Sequence, residues 1–290
     1  MDAIFETVRK LFWVSRPISW INTAYPFAVA YFLVTRQLDL TLAVGTLFFL
    51  IPYNLLMYGI NDVFDYESDL RNPRKGGIEG ALLEPRFHRV TVVSAIALSV
   101  PFVLYLTFVG SSASTGWLYL CVFTVIAYSA KGLRFKEKPF LDSITSASHF
   151  VGPMIFGLSL SGADLTSPVL IALIAAFTLW GIGSHSFGAV QDVIADREGG
   201  IASIATVIGA RSTVRFSFMA YLVAAVLVIA AGQPILLLAA LPYLALVGKF
   251  WNITDESCES ANQGWKLFIW LNFFAGTVVT FTWLVPLIFG

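Results

Sequence analysis

The sequence predicts an all-α protein that crosses a membrane several times. Hydrophobic residues make up 57% of the 290 residues and charged residues only 12%, whereas soluble domains carry about 25% charged residues. The mean hydropathy is +0.78. Apolar runs of about 20 residues, the length of a helix that spans a bilayer, recur along the chain. We therefore expect a polytopic membrane protein whose helices form a bundle.

Nine apolar runs are candidate spans. They cover residues 18–35, 40–60, 90–110, 115–129, 141–161, 167–189, 214–231, 234–251 and 265–289. Several of them contain a proline, which a bundle tolerates because neighbouring helices can satisfy the freed backbone groups, so we expect kinks and not breaks. The prolines concerned are Pro26, Pro52, Pro101, Pro153 and Pro242. No linker or low-complexity segment separates the halves, so we expect residues 1–290 to form a single domain.

Basic residues orient the predicted spans. If the amino terminus is cytoplasmic, all of the 18 Lys and Arg residues except Arg36 fall on the cytoplasmic side, as the positive-inside rule requires. Residues 1–16 mix charged and apolar side chains at helical spacing, which is typical of an amphipathic helix on the membrane surface. The formal net charge is zero, so no basic field recruits nucleic acid. We expect a multi-pass cell-membrane protein that contacts membrane lipid.

The first candidate site follows the second apolar run. Asp62, Asp65 and Asp69 have the spacing i, i+3, i+7, which places them on one face of a continuing helix. Arg71 and Lys75 follow directly, with two glycines after them. Carboxylates beside cationic side chains suit a diphosphate that is held through Mg²⁺, since carboxylates bind the metal and cations bind the remaining phosphate oxygens.

A second acidic pair repeats this composition after the sixth run. Asp192 and Asp196 are followed by Arg197 and two glycines, again on the predicted cytoplasmic side. Two acidic clusters are compatible with a two-metal clamp, so we expect the two stretches to be halves of one site. The alternative is that each cluster is a solvated face at the level of the lipid headgroups.

Three polar residues in or next to the apolar runs are further candidates. His149 and His185 lie within spans, where ionisable residues are often functional. Each could accept a proton or line a cavity for an acceptor, although a neutral histidine hydrogen-bonded between helices is the alternative. His185 precedes Asp192 by seven residues, which predicts a shared helix face. Gln191 could orient an aspartate or a diphosphate.

The two acidic motifs carry a resemblance to a known family. Asn61-Asp62-x-x-Asp65-x-x-x-Asp69 and Asp192-x-x-x-Asp196, at the cytoplasmic ends of the second and sixth predicted helices, resemble the aspartate-rich motifs of the UbiA superfamily of intramembrane prenyltransferases. The resemblance spans the whole chain. It implies a helical bundle with a central cavity, an Mg²⁺ cofactor and a prenyl diphosphate bound by both motifs.

The same resemblance assigns roles to further residues. Tyr128 and Lys131 match a Tyr-x-x-Lys position that contacts the diphosphate, and Asn22 matches the start of the family's first helix. The cations expected to neutralise the leaving diphosphate are Arg71, Lys75, Lys131, Arg134 and Arg197. The second motif departs from the family pattern, because it has Glu198 in place of a further aspartate.

The sequence around the first motif and at residues 15–26 and 250–255 is similar to that of the lycopene elongases within this family. The similarity implies an Mg²⁺-dependent transferase that moves dimethylallyl groups from dimethylallyl diphosphate to the ends of lycopene, with other carotenoid-pathway proteins as candidate partners. In that reaction water or proton loss quenches the final cation.

Two other functions remain open at this point. One is transfer of a long polyprenyl group to an aromatic acceptor in quinone biosynthesis, but the ionisable residues deep in the predicted spans are histidines, which favours a hydrocarbon acceptor. The other is transport of a divalent cation or a diphosphate. Transporters usually bind substrate near the bilayer midplane, whereas both acidic motifs lie at helix ends.

Overall fold

The computed structural model describes residues 2–70 and 82–289. Every regular element in these residues is a helix, which confirms the predicted all-α class. In chain order the α-helices are α1 (Asp2–Val14), α2 (Trp20–Thr35), α3 (Leu40–Leu50), α4 (Pro52–Phe64), α5 (Tyr66–Asp69), α6 (Pro85–Val109), α7 (Ser112–Ser129), α8 (Leu141–Leu160), α9 (Pro168–Val190), α10 (Val193–Glu198), α11 (Ile204–Ile208), α12 (Ala210–Ala230), α13 (Leu237–Gly248), α14 (Ala261–Val279) and α15 (Val285–Phe289).

Each of the nine predicted runs contains one or two of these helices. Among the described residues, six helical segments are long and apolar enough to cross a membrane. They are Leu40–Phe64, Pro85–Val109, Ser112–Ser129, Pro168–Val190, Ala210–Ala230 and Cys258–Leu287. Two of the others are short, since α2 has 16 residues and α13 has 12, while the 20-residue α8 carries many polar side chains. A multi-pass membrane protein is supported, and the count of nine spans stays a prediction.

The second predicted span is interrupted. Helix α3 ends at Leu50, and Pro52 is the first residue of α4. Between them Ile51 has φ −116° and ψ −64°. Proline has no backbone N–H and its fixed φ suits the first turn of a helix, so a new helix starts there. A kink was expected at Pro52, but the helix breaks there. The other four prolines lie inside helices, as predicted.

Helix α1 has the amphipathic character that the sequence predicts. Its exposed apolar side chains include Ile4, Phe5 and Trp13. Its polar side chains form ion pairs with the start of α6, where Lys10 Nζ lies 3.3 Å from Glu84 Oε1 and Arg86 Nη2 lies 2.8 Å from Glu6 Oε1. The apolar face is thus left exposed, and its contact with the membrane surface stays a prediction.

The chain divides into two compact units. The first comprises Met1–Arg134 with Gly152–Ala163, and the second comprises Phe135–Val151 with Asp164–Gly290. Helix α8 therefore contributes residues to both units. The single-domain organisation stays a prediction.

Aromatic rings form the core of the first unit. Phe49 lies 5.2 Å from Phe27 and 5.0 Å from Tyr53, measured between ring centroids. The close approach of α8 to α2 requires glycine, because a Cβ on Gly157 would lie 2.9 Å from the carbonyl oxygen of Phe27. This packing fixes α2, α3 and α4, and α4 carries the first acidic motif.

Small residues bring α9 and α12 together in the second unit. Ser217 donates from Oγ to the carbonyl oxygen of Gly183 over 2.7 Å, and a Cβ on Gly183 would lie 3.2 Å from the Ser217 carbonyl oxygen. The hydroxyls of Ser184 and Tyr221 form a further hydrogen bond of 2.9 Å. Small residues and interhelical hydrogen bonds are what hold helices together in lipid. They anchor α9, which leads into the second motif.

Candidate active site

The first motif lies where α4 ends. Asp62 is in the last turns of the helix and is 2% exposed, while Asp65 is 3% exposed and caps the helix with φ −100° and ψ 0°. The expected single continuing helix is wrong, because α4 ends at Phe64 and the short helix α5 starts at Tyr66. Aspartate is a poor helix former, and a carboxylate at a helix C-terminus opposes the helix dipole.

Part of this motif lies outside the described residues. The side chain of Asp69 is not described, although its backbone ends α5. Arg71 and Lys75 also lie outside the described residues. Their assignments to Mg²⁺ and to the diphosphate stay predictions.

Arg16 neutralises Asp62. Its Nη2 lies 2.7 Å from Asp62 Oδ1, and its guanidinium lies over the Tyr58 ring at 4.2 Å from the centroid. Arg16 has φ 51°, a left-handed conformation that is uncommon outside glycine. Buried carboxylates require such a partner. Arg16 was expected among the cytoplasmic basic residues and at the start of the family's first helix, but its ion pair with Asp62 was not predicted. Its position just before the first span, on the same predicted side as the motif, was the available signal.

Asn61 and Arg134 both contact Asp65. Asn61 donates from Nδ2 to Asp65 Oδ2, and also to Ser129 Oγ over 2.9 Å. Arg134 Nη2 lies 3.5 Å from Asp65 Oδ1, and Arg134 also has a left-handed φ, of 42°. The structure thus brings the predicted residues Asn61, Asp65 and Arg134 together at the end of α7. Ser129 is an addition that sequence reasoning missed.

The residues beside Ser129 differ in exposure. Tyr128 is partly buried, and Lys131 is exposed. Asn22 is partly buried on α2. Their contacts with a substrate stay predictions.

The second motif follows the end of α9. After Val190 the chain turns through Gln191, and Asp192 caps α10, which also contains Asp196. Both aspartates are partly buried and lie one helical turn apart. The expected shared helix of His185 and Asp192 is wrong, because α9 ends two residues before Asp192.

Gln191 and Arg197 anchor this motif to other elements. Asn262 donates from Nδ2 to Gln191 Oε1 over 2.6 Å, a contact that the sequence does not predict. Arg197 Nη1 lies 2.6 Å from Asp255 Oδ2, and Arg197 Nη2 donates to the Thr206 carbonyl over 2.9 Å. These contacts hold both ends of α10. The predicted role of Arg197 toward the diphosphate remains a prediction.

Asp255 connects this anchor to the start of α12. Its Oδ1 accepts a hydrogen bond of 2.7 Å from the Ala210 backbone N–H. That hydrogen bond, together with Arg197, lowers the pKa of the Asp255 carboxyl below its usual range. The carboxylate is therefore charged at neutral pH and can hold Arg197.

The two histidines differ in their surroundings. His149 is 3% exposed on α8. His185 is partly buried on α9, and its Nε2 lies 3.7 Å from Oδ2 of Asp142, a fully buried residue in the first turn of α8. Asp142 was missed by sequence reasoning; the signal was a single acidic residue within an otherwise uncharged predicted span.

The donor set fits Mg²⁺ in its chemistry. Mg²⁺ prefers oxygen ligands and usually binds through one or two carboxylates, water and substrate phosphates. Asp62 with Asp65, and Asp192 with Asp196, each provide two carboxylates. Within residues 2–70 and 82–289, no group of three or more His, Cys, Asp or Glu side chains could hold a metal by itself. Each described motif is thus suited to a metal that is shared with a phosphate.

Comparison with known proteins shows the family of the chain. Residues 23–273 match the model of the UbiA prenyltransferase family. The chain belongs to this family. It is 52% identical to a lycopene elongase/hydratase of Corynebacterium glutamicum over 96% of the chain and 97% of that protein. It is 57% identical to the C(50) beta-cyclic carotenoids biosynthesis protein LbtBC of a Dietzia species, where the match covers 93% of the chain but only 63% of the relative's length.

Solved structures of UbiA proteins share the fold. A UbiA homolog from Archaeoglobus fulgidus, bound to GPP and Mg²⁺, matches with a TM-score of 0.70 over 92% of this chain and 99% of that one, at 20% identity. A second structure of that homolog, bound to DMAPP and Mg²⁺, matches with a TM-score of 0.69. At this identity the likeness establishes the UbiA fold alone.

Proposed function

We propose that this protein is an Mg²⁺-dependent prenyltransferase that moves dimethylallyl groups from dimethylallyl diphosphate to the ends of lycopene. The observation that carries the proposal is the 52% identity to a lycopene elongase/hydratase, which extends over nearly the full length of both chains. Prenyl transfer itself is the activity of the family.

The acidic motifs are proposed to hold the metal. Asp62, Asp65 and Asp69 of the first motif, and Asp192 and Asp196 of the second, contribute the carboxylates. When bound, Mg²⁺ supplies Lewis-acid charge that stabilises the diphosphate as it leaves. Asn61 fixes Asp65 through the hydrogen bonds that it donates to Asp65 and Ser129.

Cationic side chains complete the proposed diphosphate site. Arg16 and Arg134 lie beside Asp62 and Asp65, where they offset the charge of the carboxylates. Arg71, Lys75, Lys131 and Arg197 are proposed to bind phosphate oxygens, and Tyr128 is proposed to contact the diphosphate. Guanidinium groups suit this role because their planar N–H donors match two phosphate oxygens at once.

The coupling step needs a dry, apolar environment. The bond between the first carbon of the donor and the diphosphate oxygen breaks, and the diphosphate keeps the electron pair. A terminal double bond of lycopene then supplies the electrons of the new carbon–carbon bond, which leaves a tertiary cation on the acceptor. Helices within a bilayer exclude water during coupling, and the faces of aromatic rings stabilise cations.

The proposal includes a membrane arrangement. Nine spans enclose a central cavity, and the amino terminus and both aspartate motifs face the cytoplasm, where the water-soluble donor is available. Asn22, His149, His185 and Gln191 are proposed to line the acceptor side. The neighbouring enzymes of carotenoid biosynthesis are candidate protein partners.

Expression in cells that accumulate lycopene tests the proposal. Mass analysis of extracted pigments should show lycopene converted to products that carry one or two added five-carbon units. Unchanged lycopene, with the protein present in the membrane, would overturn the assignment of the acceptor. Prenylation of an aromatic acid by the same membranes would then favour quinone biosynthesis.

A further inference from the structure

Helix α12, in the second unit, has an exposed face that is apolar along most of its length and basic at its start. The exposed apolar side chains are Met219, Leu222 and Val226, and Arg211 and Arg215 are exposed before them. Their spacing of i, i+4, i+8, i+11 and i+15 confines all five to about 80° around the helix. Since α12 is long and apolar enough to span a membrane, a face suited to lipid acyl chains begins with two arginines.

Helix α13 repeats this pattern in the opposite direction. It packs against α12 after a short turn at residues 231–236, and its exposed face carries Leu238, Leu241 and Ala245. Lys249 lies on the same face, is exposed and caps the end of the helix. The apolar surface that the two helices share therefore has its cations at one end.

Trp251 joins the basic ends of the two helices. The Arg215 guanidinium lies over the Trp251 ring at 5.1 Å from the centroid, and the Phe218 ring lies 5.3 Å from it at a steep angle. Arg211 donates from Nε to the carbonyl oxygen of Ile253 over 3.3 Å. Trp251 is 38% exposed, and tryptophan is enriched where a membrane meets water. Both arginines are thus held in place at the level expected for lipid headgroups.

The charges at this end favour an anion. The exposed carboxylate of Glu256 attracts Arg211, and Asp255 pairs with the arginine of α10. Neither Arg215 nor Lys249 forms an ion pair with a described residue. Three cations therefore face one carboxylate, which leaves an excess of positive charge.

We propose that Arg211, Arg215 and Lys249 bind the phosphate of an anionic phospholipid whose acyl chains lie along α12 and α13. The two arginines are four residues apart, about 6 Å along the helix axis, which matches the headgroup layer of about 5–7 Å on each side of a bilayer. Guanidinium N–H donors suit phosphate oxygens, and basic pockets between membrane helices bind anionic headgroups.

The shape of the surface selects among phosphate ligands. A free phosphate would contact the cations but leave the apolar face uncovered. A zwitterionic lipid would bring a second positive charge to the three cations. The ligand is therefore a phospholipid with a net negative headgroup. The site uses no residue of either aspartate motif, so the inference is independent of the proposed prenyl transfer.

Lipid retention by the purified protein tests the inference. Immobilised protein in nonionic detergent is equilibrated with limiting, equal amounts of phosphatidylglycerol and phosphatidylcholine that have identical acyl chains. After washing, mass analysis of the eluted lipid gives the ratio of bound phosphatidylglycerol to bound phosphatidylcholine. The wild type should prefer phosphatidylglycerol. The double variant Arg211→Gln/Arg215→Gln should lower the ratio about tenfold or more, because each basic side chain near an anionic lipid surface contributes about fivefold.

Two further variants separate this site from general charge. Arg9→Gln/Arg89→Gln is the matched control, because both arginines are exposed on other helices, α1 and α6, and the change in net charge is the same. Its ratio should equal that of the wild type. Thermal unfolding in detergent shows whether each variant is folded. If the double variant does not fold, Lys249→Gln decides instead and should lower the ratio about fivefold.

Four results would overturn the inference. They are equal retention of both lipids by the wild type, an unchanged ratio in the folded test variant, and a fall in the control as large as in Arg211→Gln/Arg215→Gln. The fourth concerns the source of the phosphate. Excess inorganic phosphate should leave phosphatidylglycerol bound, as sodium chloride of equal ionic strength does. Displacement by phosphate alone would identify a site for free phosphate and not for lipid.

Discussion

Arg16 and Asp62 are 46 positions apart in the sequence, and Arg16 Nη2 lies 2.7 Å from Asp62 Oδ1. The Asp62 carboxylate is almost fully buried. The arginine itself has a left-handed backbone conformation. A strained residue that neutralises a candidate metal ligand indicates that the surrounding structure is organised around this contact.

Arg16→Ala should destabilise the protein. The substitution leaves the Asp62 carboxylate buried beside the space of the lost guanidinium, and removing one partner of a buried ion pair costs about 3 kcal/mol or more. Thermal unfolding in detergent measures the effect. Arg36→Ala is the matched control, since Arg36 is also left-handed but caps the C-terminal end of α2, the helix that begins four residues after Arg16. Equal melting temperatures for the two variants would contradict the importance of the ion pair.

Asp65→Asn and Asp192→Asn should each reduce product formation by about a hundredfold or more, because metal-based charge stabilisation contributes several kcal/mol to such reactions. Each substitution keeps the size of the side chain, so insertion into the membrane should persist. Product formation is measured with purified protein in saturating Mg²⁺. Full turnover by both variants would refute the assignment of metal ligands.

Asn61→Asp tests how Asp65 is held. The substitution replaces the donating Nδ2 with an oxygen, which places two like charges at hydrogen-bonding distance and removes the hydrogen bond that Asn61 donates to Ser129. We expect activity to fall at least about tenfold, because like charges disfavour each other's ionised form. Ser129→Ala, which removes one hydrogen bond worth about 1 kcal/mol, should have a smaller effect. The reverse order of effects would contradict the proposed role of Asn61.

The lowered pKa of Asp255 should make the stability of the folded protein depend on pH. The backbone N–H of Ala210 and the Arg197 guanidinium lower the pKa of this carboxyl in the folded state. Its stabilising contribution is therefore present above the unfolded pKa of about 3.9 and is lost as the pH falls through the folded value. The melting temperature of Asp255→Asn should lie below that of the wild type at neutral pH, and the two should converge in acid. A constant difference at all pH values would rule out this linkage.

The sequence predicts the helical class, the two aspartate motifs and several of their neighbours, because these depend on local pattern. Asn61, Asp65 and Arg134 meet as expected for residues of one site. The contacts of Asp62 with Arg16, of Gln191 with Asn262 and of Asp142 with His185 are not predictable from spacing, since each joins segments that are distant in the chain. The helix breaks at Pro52 and Asp65 depend on one or two residues each. A hydropathy pattern averages over many residues, so it does not locate these helix ends.

Transfer of an isotopically labelled dimethylallyl group to lycopene tests the central claim most directly. Purified protein in lipid vesicles is incubated with labelled dimethylallyl diphosphate, lycopene and Mg²⁺, and the label is measured in the extracted carotenoid. The account predicts label in an elongated carotenoid, its loss when EDTA removes the metal, and its return when Mg²⁺ is restored. Absence of label from the carotenoid with folded protein and Mg²⁺ present, or undiminished transfer in EDTA, would contradict it.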